Sequence, residues 1–282
     1  MRIDLHTHST CSDGTQSPAD VVRSAAAAGL DVVALTDHDS TRGWSDASDA
    51  ALETGVSLVP GIEVSCATDG ISVHLLGYLV DPGDAALLAE LEHARSSRRT
   101  RAQRIVDKLA PDTGLTWDMV QQQFGPETTI GRPHIADALI AHGVVASREE
   151  AFASYLHNSS KYHVSHYAPD PVTATALVRA AGGVPVMAHP FAAKRGRTVA
   201  DDVIERMTQA GLAGLEVHHR DHDAAAVDKG TALAADLGLL VTGSSDYHGA
   251  GKPNRLGENT TTPEVLEQII AQATSGVRVT AP

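Results

Sequence analysis

Asp4-Leu5-His6-Thr7-His8 reads as a short strand that ends in two histidines. Side chains alternate across a strand, so His6 and His8 share one face while Leu5 and Thr7 take the other. Four further strand-like segments end the same way: Leu35-Thr36-Asp37-His38, Gly61-Ile62-Glu63, Met187-Ala188-His189-Pro190 and Ser245-Asp246-Tyr247-His248. A sixth position, His74, lies inside Ser72-Val73-His74-Leu75-Leu76. Parallel strands that carry such groups at their C-terminal ends assemble one convergent site from remote segments.

Between these segments the chain alternates strand and helix. Ser17-Pro18-Ala19-Asp20 opens a helix with an N-cap serine and a proline at its first position, and Gly29 closes it. Asp31 to Asp37 is a mostly apolar run, as expected of a strand buried on both faces of a parallel sheet. Runs near 57–64 and 71–80 are joined only by Ala67-Thr68-Asp69-Gly70, too short for a crossover helix, so this pair is expected to be locally antiparallel or otherwise irregular. One long helix is expected from Asp84 to about Ala110, stopped by Pro111; the stretch to about 168 then breaks the alternation. Alternation resumes at Asp170-Pro171. The ligand-bearing ends are spread over most strands, which favours a barrel over an open α/β sheet. The expected organisation is a barrel from residues 1–95 and 167–282 and a small helical insertion subdomain at 96–166 covering the site.

With 282 residues, 42% of them hydrophobic, the chain can bury a full core. No stretch has the length of a membrane span, and Met1-Arg2-Ile3-Asp4 enters a strand at once, leaving no room for a signal peptide. Cys11 and Cys66 make no disulfide framework. A cytoplasmic protein is expected. The net charge of -13 argues against a broad grip on duplex DNA. It leaves a phosphorylated substrate open, because bound cations would reverse the sign of the pocket.

Imidazoles and carboxylates without thiolates suit Zn²⁺, Mn²⁺ or Fe²⁺ in an open catalytic site rather than a closed structural one. Together His6-Thr7-His8, Ser12-Asp13-Gly14, Thr36-Asp37-His38-Asp39, Gly61-Ile62-Glu63, Ala188-His189-Pro190 and Ser245-Asp246-Tyr247-His248 resemble the motifs of the PHP (polymerase and histidinol phosphatase) superfamily. The resemblance runs from residue 2 to about 250. With Gly131-Arg132-Pro133-His134 in an insertion, the chain is most similar to the branch of phosphoesterases that act on nucleoside phosphates and short RNA.

The resemblance implies a distorted (β/α)7 barrel holding two or three divalent cations. By it, His6, His8, Glu63 and Asp246 hold the first. Glu63 bridges to a second held by His74 and His189, while Asp13, His38 and His248 hold a third. Asp13 stands where some members carry histidine. The implied activity is hydrolysis of a terminal phosphate monoester of a nucleotide, a nucleoside 3',5'-bisphosphate or a nucleoside monophosphate, by a hydroxide bridged between metals. Trimming of short RNA from the 5' end is a further implied activity.

Outside the ligands, Arg132 offers a bidentate fork to phosphate just before a helix N-terminus, and His134 follows it. His219 and His222 follow a strand end in Glu216-Val217-His218-His219-Arg220-Asp221-His222 and are both candidates for protonating the leaving group. Asp4, Asp37 and Asp39 either orient metal-bound imidazoles or cap strand ends. Lys161, Arg195 and Arg197 read as exposed loop cations. Two other readings are a histidinol phosphate phosphatase, whose product amine calls for a carboxylate-rich pocket, and a non-catalytic PHP accessory module. The module reading sits poorly with nine ligand positions that all carry competent residue types.

Overall fold

A computed structural model describes all 282 residues. The strands are β1 (Ile3–Asp4), β2 (Val32–Leu35), β3 (Ser57–Thr68), β4 (Ile71–Tyr78), β5 (Val184–Met187), β6 (Gly214–His218) and β7 (Leu240–Gly243). Around them stand α1 (Pro18–Ala27), α2 (Trp44–Thr54), α3 (Ala85–Thr113), α4 (Trp117–Gln121), α5 (Arg132–Ala141), α6 (Arg148–Ala151), α7 (Pro171–Ala180), α8 (Asp201–Gln209), α9 (Ala224–Leu237) and α10 (Pro263–Gln272). No helix is long and apolar enough to cross a membrane.

The seven strands form one sheet in sequential order, parallel except that β4 runs antiparallel to both β3 and β5. Beyond β1 the chain meets the segment after β7: Thr7 bridges Tyr247, and the His8 N–H donates to the Tyr247 carbonyl at 2.8 Å. This contact makes the sheet a nearly closed barrel. It also places His6 and His8 beside Asp246 and His248.

Local chemistry explains the helix ends. Ser17 accepts from the Asp20 N–H and Asp170 from the Val172 N–H, each followed by proline at the first helical position. Helix α3 differs from expectation: it runs through Pro111 to Thr113 and ends at Gly114, whose left-handed φ of 72° closes it. Pro111 falls in the final turn, where losing one backbone donor costs less than in the middle of a helix.

One buried cluster gathers Ile3 and Leu5, Val32, Val59, Leu76, Tyr78 and Val186 with Leu266 and Ile269 of α10. A larger one packs β3 to β6 against α7, α8 and α9 and includes Leu87 and Leu91 from the start of α3. A third cluster, of 16 residues, lies wholly between Ala102 and Val164. Helix α3 thus feeds two separate cores along its length. Each core carries one tryptophan: Trp44 packs on the barrel and donates its indole N–H to the Gly61 carbonyl, and Trp117 packs on the third cluster.

Candidate metal centre

The segments that follow β1, β2, β5 and β7 converge on one buried space with Glu63 from the middle of β3 and His74 from the middle of β4. His6 and His8 turn the same face to it, and their Nε2 atoms stand 3.1 Å apart. Each has its other nitrogen committed. His6 Nδ1 donates to Glu216 Oε1 at 2.9 Å, and His8 Nδ1 donates to Ser12 Oγ, which in turn donates to Asp37 Oδ1. His248 Nδ1 donates to the Asp246 carbonyl at 2.8 Å. The free Nε2 lone pairs therefore point at one another, which is repulsive unless a positive charge shares them.

Glu63 lies at the centre. Its Oε2 is 3.0 Å from His8 Nε2 and 3.1 Å from His38 Nδ1, and its Oε1 is 2.8 Å from His74 Nδ1 and 3.4 Å from His189 Nε2. Asp246 Oδ1 faces His6 and His8 at 3.5 and 3.4 Å, and Asp13 Oδ1 faces His248 Nε2 at 3.1 Å. Three sets of ligand atoms lie close enough to hold an ion each: His6, His8 and Glu63; His38, Glu63 and His74; and His8, Asp13, His38 and His248. Buried polar atoms without a hydrogen-bond partner include Asp13 Oδ1, both Glu63 oxygens, His74 Nδ1, His189 Nε2 and His248 Nε2. Buried polar groups are almost always paired, so this cluster of orphans fits cations.

Burial pushes His189 down to about 3, and burial with the charge of Lys252 pushes His248 down to about 4. Both are neutral ligands at neutral pH. Burial opposes the charged form of His8, yet its hydrogen bonds to Asp246 and Glu63 lift it to about 9. Burial alone would raise Glu63, but His38, His74 and His6 hold it well below the usual carboxylate range. Two ligands sit on strained backbone: His189 has φ of 31° and Asp246 of 54°, in the left-handed region. That bend turns each side chain into the site.

The pattern of the PHP domain matches residues 4–166. The chain belongs to the PHP family. It is 34% identical over 254 residues to a 3',5'-nucleoside bisphosphate phosphatase of Chromobacterium violaceum, covering 90% of this chain and 89% of the other. It is 36% identical over 192 residues to a 5'-3' exoribonuclease of Haemophilus influenzae, covering 67% and 69%. A crystal structure from Bifidobacterium adolescentis, provisionally described as a metal-dependent phosphoesterase, superposes with a TM-score of 0.94 at 40% identity and covers 96% of both chains.

All nine ligand positions expected of a PHP centre are brought together, with sharing the sequence did not indicate. His8 stands in the first and third sets, and His38 in the second and third. The four residues expected outside the ligands fare differently. His219 is buried, its Nδ1 accepts the Asp221 N–H, and its Nε2 lies 3.7 Å from Asp246 Oδ2. His222 is not placed to give a proton: Nδ1 donates to the Val217 carbonyl at 2.7 Å and Nε2 accepts the Phe191 N–H, so both nitrogens are spent on backbone. His134 is likewise spent, accepting the Gly131 N–H at Nδ1 and donating from Nε2 to the Ser12 carbonyl, and is not free to bind substrate. Arg132 donates to the Leu156 carbonyl and Asn158 Oδ1 and lines a cleft with Arg98 and Arg101.

Glu216 was given no role in the sequence reading. Glu216 binds His6 with one oxygen and accepts the His189 N–H with the other, at 2.9 Å each. Its signal was a lone carboxylate inside the apolar strand Gly214-Leu215-Glu216-Val217. Arg195 is exposed as expected but committed to the site: it bonds Asp221 and Asp246 Oδ2 at 2.7 Å each, and Lys252 joins it at 3.0 Å. Together they pin one oxygen of Asp246 and leave Oδ1 for the centre. Asp4 accepts the Ser245 and Gly257 N–H groups, and Asp37 holds Ser9 and Ser12, so both tie ligand-bearing loops in place.

Proposed function

We propose that this phosphoester hydrolase acts on nucleoside 3',5'-bisphosphates, removing one phosphate at the metal centre while arginines hold the other. The observation that carries this reading is the cleft lined by Arg98, Arg101 and Arg132. Arg98 pairs with Asp39 at 2.9 Å, whereas Arg101 and Arg132 make no ion pair and spend donors only on neutral oxygens. Burial, then the charges of Arg132 and Arg98, lowers Arg101 to about 9. Three crowded guanidiniums are costly to keep together, and a phosphate relieves that cost through bidentate hydrogen bonds. The cleft adjoins the centre: Arg98 reaches Asp39, next to His38, and Ser65, two residues beyond Glu63.

Two or three divalent cations (Mn²⁺, Zn²⁺ or Fe²⁺) held by the ligand set would neutralise phosphoryl charge and make water nucleophilic near neutral pH. The chain's own residues do the rest. The Asp221 N–H occupies Nδ1 of His219, so Nε2, 3.4 Å from Arg195 Nη2 and 3.7 Å from Asp246 Oδ2, is the nitrogen from which a proton can pass to the leaving oxygen. Arg195 and Lys252 fix Asp246, and the arginine cleft positions the substrate. A histidinol phosphate would bring an ammonium group toward guanidiniums, which disfavours it. An accessory module would not need a complete ligand set. Short 5'-phosphorylated RNA is a second reading, favoured by the same cleft because its next backbone phosphate can occupy the arginines. A cytoplasmic location, supported by the free thiols of Cys11 and Cys66, belongs to the same proposal.

Phosphate release by Mn²⁺-loaded protein should be faster on a nucleoside 3',5'-bisphosphate than on a nucleoside monophosphate or histidinol phosphate. Arg132→Ala should raise KM for the bisphosphate about 10- to 100-fold, the worth of one charge-assisted contact, and leave the monophosphate nearly unaffected. Equal effects on both substrates would overturn the role given to the cleft.

A further inference from the structure

Four successive backbone carbonyls next to the metal centre are each bonded by a residue of the segment between α3 and α7. Thr10 O accepts from Thr128 Oγ1 at 2.9 Å and Cys11 O from the Thr129 N–H at 3.0 Å. Ser12 O accepts from His134 Nε2 at 3.0 Å and Asp13 O from Arg148 at 3.2 Å. The two side-chain donors nearest Asp13 are themselves fixed. His134 is 4% exposed, and the Gly131 N–H on its Nδ1 sets the proton on Nε2. Arg148 is gripped by both oxygens of Asp137 at 2.6 Å each.

We propose that this row of donors is a positioning device for Asp13, and that His134 and Arg148 set the affinity of the third cation site. The inference rests on the reading of Asp13, His38 and His248 as cation ligands. Asp13 lies farther beyond its strand than any other candidate ligand, and the barrel side holds it only through its neighbours, by Gly14 N–H to the Ser9 carbonyl and Thr15 N–H to the His248 carbonyl. The loop is tight on its barrel side: Asp37 holds Ser9 and Ser12, and a Cβ on Gly14 would fall 2.4 Å from the His8 carbonyl oxygen. Asp37 does not reach Asp13 itself. The donors from α5 and α6 supply that restraint, and Asp13 Oδ1 is left without a hydrogen-bond partner, aimed at His248, His38 and His8. His134 therefore acts through Asp13 and not on the substrate.

Cation stoichiometry and affinity of the purified full chain, measured by Mn²⁺ titration and elemental analysis, test the proposal. Wild type should take up three equivalents. His134→Ala and Arg148→Met should keep two at wild-type affinity and bind the third at least tenfold more weakly. His134→Gln, which returns an N–H donor toward Ser12 O, should restore most of the loss, a rescue that general loosening of the fold would not give. Thr128→Val removes one hydroxyl bond at the exposed edge and serves if the other variants do not fold; it should weaken the third equivalent by a smaller factor. Three equivalents of unchanged affinity in the variants would overturn the positioning role. A wild type that stops at two would overturn it differently, by removing the third site, and would leave the two-cation reading intact.

Discussion

At the residue scale the centre is a set of imidazoles prepared for opposite duties. His189 and His248 are held neutral by burial and lose nothing when a cation arrives. His8, lifted to about 9, keeps a proton in the cation-free protein at pH 7, and a cation must expel it. The sign follows: below pH 9 each unit of acidification adds to the work of displacing that proton, and above it the work vanishes. Despite its burial, His6 is likewise raised well above the ordinary imidazole value by Glu63, Glu216 and Asp246, so cation affinity should rise at least about tenfold per pH unit from pH 6 to 8. Competition with a chromophoric chelator at several pH values measures this, and a pH-independent affinity would refute it. Strand alternation put His6 and His8 on one face, whereas the full set of nine came from the resemblance to the PHP family; the structure brings those nine side chains close together. Partners were not legible. Nothing in the sequence showed that both nitrogens of His134 and His222 are taken by backbone groups, or that Glu216 ties His6 to His189.

At the element scale α3 is the informative piece. Its first turns bury Leu87 and Leu91 in the barrel core, and its later turns bury Ala102, Ile105, Val106 and Leu109 in the separate core that ends at Val164. A domain boundary drawn at residue 96 falls inside one continuous helix. The long helix itself was legible in the sequence; that its two halves pack into different cores was not. Leu109 is fully buried, so Leu109→Ala should cost about 2 to 5 kcal/mol. The loss should be local: amide exchange should quicken in the second half of α3 and in α4 and α5, and stay slow in β2 and β3. Uniform quickening would show that the two cores open as one.

At the scale of the whole molecule the barrel has a seam, where the chain beyond β1 meets the chain beyond β7. The third ligand group straddles it, with His8 on one lip and His248 on the other, and Asp246 faces His6 and His8 across it. A cation held there would brace the seam as well as supply chemistry. At a free concentration 100 times its dissociation constant, one bound ion adds about 2.7 kcal/mol. Chelation should lower the melting temperature by about 5 to 10 °C, measured by calorimetry. The barrel was legible from the spread of ligand-bearing segments over most strands, and the irregular β3–β4 pair from its short link. The place of the seam was not, because it depends on bridges between Thr7 and Tyr247 and between Ile3 and Thr261.

The two tryptophans give this architecture a built-in pair of reporters. Trp44 sees only the barrel and Trp117 only the smaller core. Replacing either with phenylalanine would leave a protein whose emission follows one half alone, and comparing the two would show by fluorescence whether the halves respond to ions and nucleotides in step or in turn.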